Sequence, residues 1–264
     1  MQTVATYRLG SPERPNIRHD NGFLDKFAKR APTVSDNLQY AWWVGKLETA
    51  EGVQKVPFLP HNDISDGLAA YRHFLEGSGK DRWFSYERYV DNDPSGAITL
   101  KNAVTDATHG AIQLFVNRLG RKVPNHFEMT GSALAANGGS TLFPYPQTEN
   151  WQKAIGAHNF WISADIDVEG SSKRPEFVMR MTLHVEDRYN FNPGAHDIAT
   201  GIPDAANGIF EITGLAKQYL NYSTLERTVS WTGLNPSAYE RKVTDAPFFR
   251  DRQPADNRRI RNRA

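Results

Sequence analysis

The 264-residue chain contains no cysteine, which excludes disulfides, thiolate catalysis and cysteine-ligated metal centres. A protein that unfolds, travels and acts in an oxidising compartment gains from having no thiol to mispair, although an intracellular protein can lack one by chance. Met1–Asp20 has no apolar run of signal-peptide length, and no later stretch is long enough to span a membrane. The expectation is a chain delivered by a dedicated machine or by lysis rather than by simple Sec export. Charge of one sign is also scarce. The net charge is +1, so the global basic field of a nucleic-acid binder is absent and no nucleic-acid partner is expected. The imbalance that exists is local: Arg241–Ala264 holds eight Arg/Lys against three Asp. Such a segment reads as a solvated basic tail, with contact to anionic headgroups or an acidic partner as the sharper alternative.

What is present divides along the chain. Residues 1 to about 35 are rich in Pro, Arg, Asn and Asp and read as a loosely docked arm. Tyr40–Leu47 is an aromatic run of strand or short-helix type, and Val56–Asp63 reads as a Pro-bounded turn. Asp66–Glu76 has helical spacing, with Asp66 placed as N-cap and Gly77 and Gly79 as the stop. Gly77-Ser-Gly79-Lys80 lacks the Walker spacing of a phosphate loop. Phe84–Val90 reads as extended, Asn92–Gly96 as a turn, Leu100–Leu119 as a longer helix and Ser132–Gln147 as a loop. Phe160–Val168 and Phe177–Val185 alternate with a period of two and are joined through a Gly/Ser/Pro linker, which predicts an antiparallel hairpin with one buried face. Thr213 is placed as the cap of a short helix carrying Leu215, Ala216, Tyr219 and Leu220, and Leu225–Trp231 as a final strand.

The second hairpin strand runs into Asp187-Arg-Tyr-Asn-Phe-Asn-Pro-Gly-Ala-His196-Asp197. A carboxylate, a phenol, amides and an imidazole in a turn at the end of a strand are the groups that phosphoester cleavage uses. Charge on the phosphoryl oxygens must be neutralised and the leaving oxygen needs a proton. A Pro193-Gly194 turn could fold His196 back toward Asp187. The alternative is an ordinary polar turn whose side chains bond to nearby backbone. His61, His109, His126 and His158 show no metal-ligand spacing, and His184 reads as a surface position.

The segment resembles the catalytic motif of the colicin M family of bacterial toxins, whose pattern is Asp-x-Tyr-Asp-x6-His-Arg. Asp187, Tyr189 and His196 match it. Leu68–Arg82 is similar to the family's His-Tyr-Leu-x-Gly-x-Gly-x-x-Arg stretch, and Gly156-Ala157 before a hairpin and a helix then a strand after Gly214 repeat its order. The resemblance thus covers about Asp66 to Trp231. It departs from the pattern twice: Asn190 stands for the second Asp, and Asp197 for the Arg after the histidine. An amide contributes no charge to a cation, and a carboxylate repels the phosphate that an Arg would clamp. Arg188, Arg180 or Lys217 are candidates for the missing cation, Asp197 or Asp204 for the missing carboxylate.

The resemblance implies an α+β fold, a helical N-terminal part followed by an antiparallel, partly barrel-like sheet. It implies three regions: residues 1–65 as arm and docking region, 66–233 as catalytic domain and 234–264 as basic tail. It also implies a Mg²⁺-dependent hydrolase that cuts lipid II between polyprenol and pyrophosphate, with a cognate immunity protein in the producer. The catalytic positions would be Asp187, Tyr189, Asn190, His196 and Asp197, with His196 moving protons, Asp187 positioning metal or substrate, and Tyr189 on the phosphate or lipid-exit side. Arg82, Arg188, Arg180 and Lys217 would bind substrate. Such a toxin, secreted or injected by an apparatus such as type VI secretion, would act in the target-cell periplasm at the inner-membrane surface. A competing expectation is a domain that binds lipid-linked precursors or a partner without cleaving them.

Overall fold

A computed structural model describes residues 3–58 and 61–245. In chain order the elements are β1 (Tyr7–Leu9), α1 (Phe23–Lys26), α2 (Val34–Gln54), α3 (Ser65–Leu75), β2 (Arg82–Trp83), α4 (Tyr86–Asn92) and α5 (Pro94–Asn117). There follow β3 (Asn125–Gly131), β4 (Leu134–Ala136), α6 (Glu149–Ala154), β5 (His158–Ser171), β6 (Arg174–Tyr189), α7 (Ala205–Thr213), β7 (Tyr219–Thr232) and β8 (Lys242–Asp245). The α+β class expected from the sequence is present, with most helices N-terminal. The eight strands form one sheet in the order β1-β3-β5-β6-β7-β2, with β4 also on β5 and β8 also on β7. All pairings are antiparallel except β2 with β7. The path is open, since β1 and β2 are its two ends.

The predicted hairpin is β5–β6, and both strands run longer than the sequence pattern marked, leaving Ser172 and Lys173 as the turn. Phe177, Met179, Met181, Leu183 and Val185 all face the core. Against them lies α5, whose Ala103, Ala107, Ala111 and Phe115 are fully buried one turn apart, so the small residues let the helix sit close to the sheet. A second apolar cluster, Leu47, Phe74, Leu75, Phe210, Ala216 and Tyr219, gathers α2, α3 and α7 at the other end of β6 and β7.

Several local expectations are corrected. Tyr40–Leu47 lies inside the 21-residue α2, which starts with a capping box between Thr33 and Asp36. Asp66 is not the cap of α3; it lies one residue inside, where its carboxylate accepts from Arg88 and from Asn150. Gly77 and Gly79 do end the helix, both with positive φ. Phe84–Val90 is mostly helix, because Ser85 caps α4 and buries Tyr86 and Tyr89 one turn apart. Asn92–Gly96 joins two helices: Asn92 ends α4, Asp93 is the N-cap of α5 and Pro94 stands in its first turn. Thr213 ends a helix rather than starting one: α7 precedes it, Gly214 caps its C-terminus at φ 75°, and Tyr219 already begins β7.

The arm expected to be loose is tied down. Tyr7 donates to Asp106 at 2.9 Å, and its ring lies where any Cβ on Gly110 would collide with it. Further on, Arg14 and His19 both bond to the buried Glu186 on the outer face of β6. In the C-terminal basic segment, Lys242–Asp245 pairs with β7, and 246–264 lies outside the described residues, as do 59–60 of the expected turn.

Asp93 joins the helical and sheet-flanking layers. Its buried carboxylate accepts from the Ser95 amide and hydroxyl, the Gln147 amide, and the Thr148 amide and hydroxyl. Removing it strands five donors. Asp93→Ala is therefore expected to cost about 3 kcal/mol and to lower the melting temperature by roughly 6–12 °C in a circular-dichroism melt.

Candidate functional site

The inward phase of β6 does not stop at Val185. Asp187 and Tyr189 occupy the next two inward positions, so a carboxyl group stands where the pattern would place an aliphatic side chain. Asp187 is 8% exposed. Burial pushes its carboxyl up to about 8; the nearby Asp20 charge adds to this, while Asn221 and Arg188 oppose it. At neutral pH the group holds a proton.

β7 pairs with β6 on one side and with β2 on the other, which aligns Arg82, Asn221 and Asp187 in one rung across three strands. The Arg82 guanidinium donates to the Asn221 carbonyl at 3.3 Å, and the Asn221 amide donates toward Asp187 at 3.5 Å and to the Ala154 carbonyl at 3.3 Å. Asn221 is fully buried. It thus fixes the amide orientation and couples a cation to a neutral acid. Tyr189 stacks on Tyr219 (5.1 Å, 8°) beside Phe74 and Phe191. Burial keeps its phenol protonated, with Arg82 opposing. Tyr145 is raised for the same reason and also feels Asp197, Asp187 and Asp204. The two phenols and the three aspartates therefore share one electrostatic neighbourhood.

The loop after β6 supplies the rim. His196 is exposed, pairs through backbone with Pro203, and interacts electrostatically with Asp204. Among the described residues no contact joins His196 to Asp187, so the Pro193-Gly194 turn carries the imidazole to Asp204 instead. Asp204 is half-buried and its carboxyl is raised by desolvation, despite accepting from the Asn192 amide at 2.8 Å. Asp197 bonds to the amide and hydroxyl of Thr200, both at 2.7 Å, and pairs with Lys153. The position where the family resemblance places an Arg therefore holds a carboxylate already neutralised by a lysine.

The other expected residues scatter. Asn190 faces the arm, donating to the Asp20 carboxylate at 2.7 Å. Arg188 lies on the opposite face of β6 from Asp187, where it donates to Gln218 at 3.0 Å. Arg180 is seven residues away, about 23 Å along the strand at ~3.3 Å per residue, and is held by Asp165 and Asp167, both at 2.9 Å. It is not part of this site. Lys217 is exposed and packs over Gly79. His184 is not a surface residue: it stacks on Trp161 at 3.8 Å, bonds to Ser163, and is lowered to about 3 by burial. A cleft of about 490 Å³ between α2 and α3, lined by Glu51, Lys55, Arg72, His73, Glu76 and Arg82, shares Arg82 with the rung.

Sequence reasoning missed Asn221, Tyr145, Lys153, Asp20 and Glu211. Glu211 is buried, accepts from the Phe191 amide at 3.1 Å, and is pushed up to about 8 by burial. Asn221 was legible: it falls on the inward phase of β7 between Tyr219 and Ser223. The others come from distant segments and carried no local signal.

Asp187 does not form a preassembled metal cage. Among the described residues, the group of three metal-capable side chains whose donor atoms approach within 4.8 Å is His126, Asp165 and Asp167, which lies outside this site. Asp187 alone offers one carboxylate, and the neighbouring acids are already engaged, Asp197 by Lys153 and Thr200 and Asp204 by the Asn192 amide, so the donor set does not fit a resident Mg²⁺ held by protein ligands.

No family model and no curated protein matches the chain. Among solved structures it is distantly similar to PaeM, a colicin M-like bacteriocin produced by Pseudomonas aeruginosa, with 15% identity and a TM-score of 0.37. The likeness covers 62% of this chain and 50% of that one, so the chain spans half of its neighbour's length.

The raised Asp187 gives stability a definite pH dependence. Below about pH 4 folded and unfolded chains both hold the proton. Between there and pH 8 the unfolded chain releases a proton that the folded chain keeps, so this group destabilises the fold as pH rises. Asp187→Asn removes the effect. Its melting temperature is expected to match wild type near pH 4 and to exceed it at pH 8 by roughly 4–8 °C, on the order of 2 kcal/mol.

Proposed function

We propose that this chain is an antibacterial toxin that hydrolyses the phosphoester of lipid II between polyprenol and pyrophosphate, blocking peptidoglycan synthesis. The observation that carries the reading is the Arg82–Asn221–Asp187 rung, a cation beside a carboxyl that keeps its proton at neutral pH. It is supported by the Asp187-x-Tyr189-x6-His196 motif and by the order of segments from Asp66 to Trp231.

In this reading Arg82 holds the phosphoryl oxygens, while the phenols of Tyr145 and Tyr189 remain protonated and able to donate. His196, with Asp204 behind it, takes a proton from water as the water oxygen bonds to phosphorus. Asp187 gives its proton to the polyprenol oxygen as the ester bond breaks, a role suited to a carboxyl raised by burial. The products are free polyprenol and the pyrophosphoryl sugar-peptide. Mg²⁺ enters as the counter-ion of the pyrophosphate rather than as a resident of the protein. Asp20 is the carboxylate nearest to Asn190 and takes the place of the acid that the motif lacks there. The reading also includes delivery to the periplasm, a cognate immunity protein and a contact-dependent secretion apparatus.

A second reading, precursor binding without cleavage, draws on the fact that Asn190 and Asp197 are both occupied by contacts within the chain.

The test is incubation of the purified protein with lipid II and Mg²⁺, followed by chromatography for free polyprenol. The wild type is expected to release it, with at least a ~100-fold loss in His196→Ala and in Asp187→Asn. Binding of lipid II with no release would replace the enzyme by the second reading. Full activity in both variants would remove the site assignment. Chelation by EDTA is expected to stop release, while calorimetry of protein with Mg²⁺ alone gives no heat of binding.

A further inference from the structure

The cleft between α2 and α3 shares Arg82 with the rung, yet its chemistry differs from that of the buried carboxyl and the phenols. Its volume of about 490 Å³ lies within the range of small-ligand pockets, roughly 300–1,000 Å³. Ser65, Leu68, Arg72 and Glu76 line it along one face of α3 and its C-cap, at helical spacing. From Ser65 to Glu76 the helix rises about 16 Å at ~1.5 Å per residue, the length of four or five residues of extended peptide at ~3.3 Å each. Apart from Leu68 and Ala69, every side chain that lines the cleft is polar or charged.

The charges decide which part of a substrate the cleft can take. Glu51 and Arg72 are closed on each other through two hydrogen bonds of 2.5 and 2.6 Å. His73 is also spent: it bonds to the Lys80 carbonyl at 2.7 Å, and its ring meets Tyr219 edge-on. Lys55 and Glu76 are exposed, and among the described residues neither side chain has a hydrogen bond or an ion pair. Arg82 gives one N–H group to Asn221. Glu48 stands outside the lining, close enough for its charge to act on Arg72. With it included, three acids (Glu48, Glu51, Glu76) face three cations (Lys55, Arg72, Arg82), so no field of one sign is present. The open lining partners are two cations, Lys55 and Arg82, and one acid, Glu76. Such a set suits a molecule that carries both carboxylates and an amine. An isoprenoid chain would strip water from these charges and return no hydrogen bond. A flat ring finds no free aromatic face, because the one ring in the lining, that of His73, is already packed.

We propose that the α2–α3 cleft is the subsite for the peptide of the sugar-peptide, with Lys55 on a peptide carboxylate and Glu76 on a free side-chain amine. Arg82 joins the two parts, since it lines the cleft and bonds to Asn221 of the rung. The inference rests on the lipid II reading and gives it a source of selectivity. Polyprenyl pyrophosphate without the peptide leaves Lys55 and Glu76 without partners, so the complete precursor is distinguished from the bare lipid carrier away from the bond that breaks.

The test reads binding and needs no hydrolysis. The full chain, labelled with ¹⁵N, is titrated with a soluble N-acetylmuramyl pentapeptide that has a diamino residue but neither pyrophosphate nor polyprenol. Saturable shifts are expected in the amides of α3 and of the C-terminal end of α2. The dissociation constant is expected to rise roughly fivefold or more in Lys55→Glu and in Glu76→Lys. Lys101→Glu, at an exposed position on α5, should bind as wild type does. Acetylating the free amine of the peptide is expected to weaken binding to wild type and to leave Glu76→Gln with no further effect. Circular-dichroism melts matched to wild type keep unfolding from posing as lost binding. The proposal is overturned if the peptide does not saturate the chain, if the shifts fall outside α2 and α3, or if both charge reversals bind as wild type does. Peptide binding without release of polyprenol from lipid II would keep the subsite and remove the hydrolase; release without peptide binding would do the reverse.

Discussion

The two-residue period of β6 is the constraint on which the structure depends. Its inward residues, Phe177 to Val185, hold the sheet against α5, and the same period delivers Asp187 and Tyr189 to the buried side without a break. A slip of one residue would send the apolar set to solvent and Asp187 outward together. The register that builds the core therefore also desolvates the carboxyl, and the displaced proton affinity of Asp187 follows from packing.

The cost of that arrangement is contained by neighbours drawn from other elements. Asn221 stands opposite Asp187 on β7 and offers the hydrogen bond that a buried carboxyl requires. Arg82 reaches the rung because Gly77 and Gly79 end α3 in the left-handed region and turn the chain into β2. Behind the sheet, the Arg14 and His19 contacts to Glu186 fasten the arm to the outer face of the same strand, and Asp20 then bonds to Asn190. One strand therefore organises both the apolar core and the polar end, with its outer face gripping the N-terminal segment.

Much of this was legible before any coordinates. The β5–β6 hairpin, the stripe of α5 and the glycine stop of α3 follow from local periodicity and backbone freedom, and each is found. The misreadings have local causes. Phe84–Val90 is rich in aromatics, which suggests a strand, but Ser85 caps a helix that buries Tyr86 and Tyr89 one turn apart. Thr213 has the side chain of a helix cap, whereas it is the last residue of α7, inside which Gly208 sits with the Phe23 ring against it. Among the candidate site residues, Asp187 and Tyr189 share a face by alternation alone. His196 does not reach Asp187, since the loop pairs it with Pro203 and leaves it beside Asp204. Arg180 lies far along the strand, bound to two aspartates.

The sequence by itself determined the α+β character, the hairpin, and the fact that a carboxyl at 187 would fall in phase with the core, because these depend on spacing along one strand or helix. Only the tertiary structure decided that Asp187 keeps its proton, that Asn221 and Arg82 complete its rung, and that Lys153 neutralises Asp197. It also decided that Arg82 belongs to both the rung and the α2–α3 cleft. Those outcomes depend on which segments meet across long stretches of chain and on how much water their meeting removes, quantities that no local pattern contains.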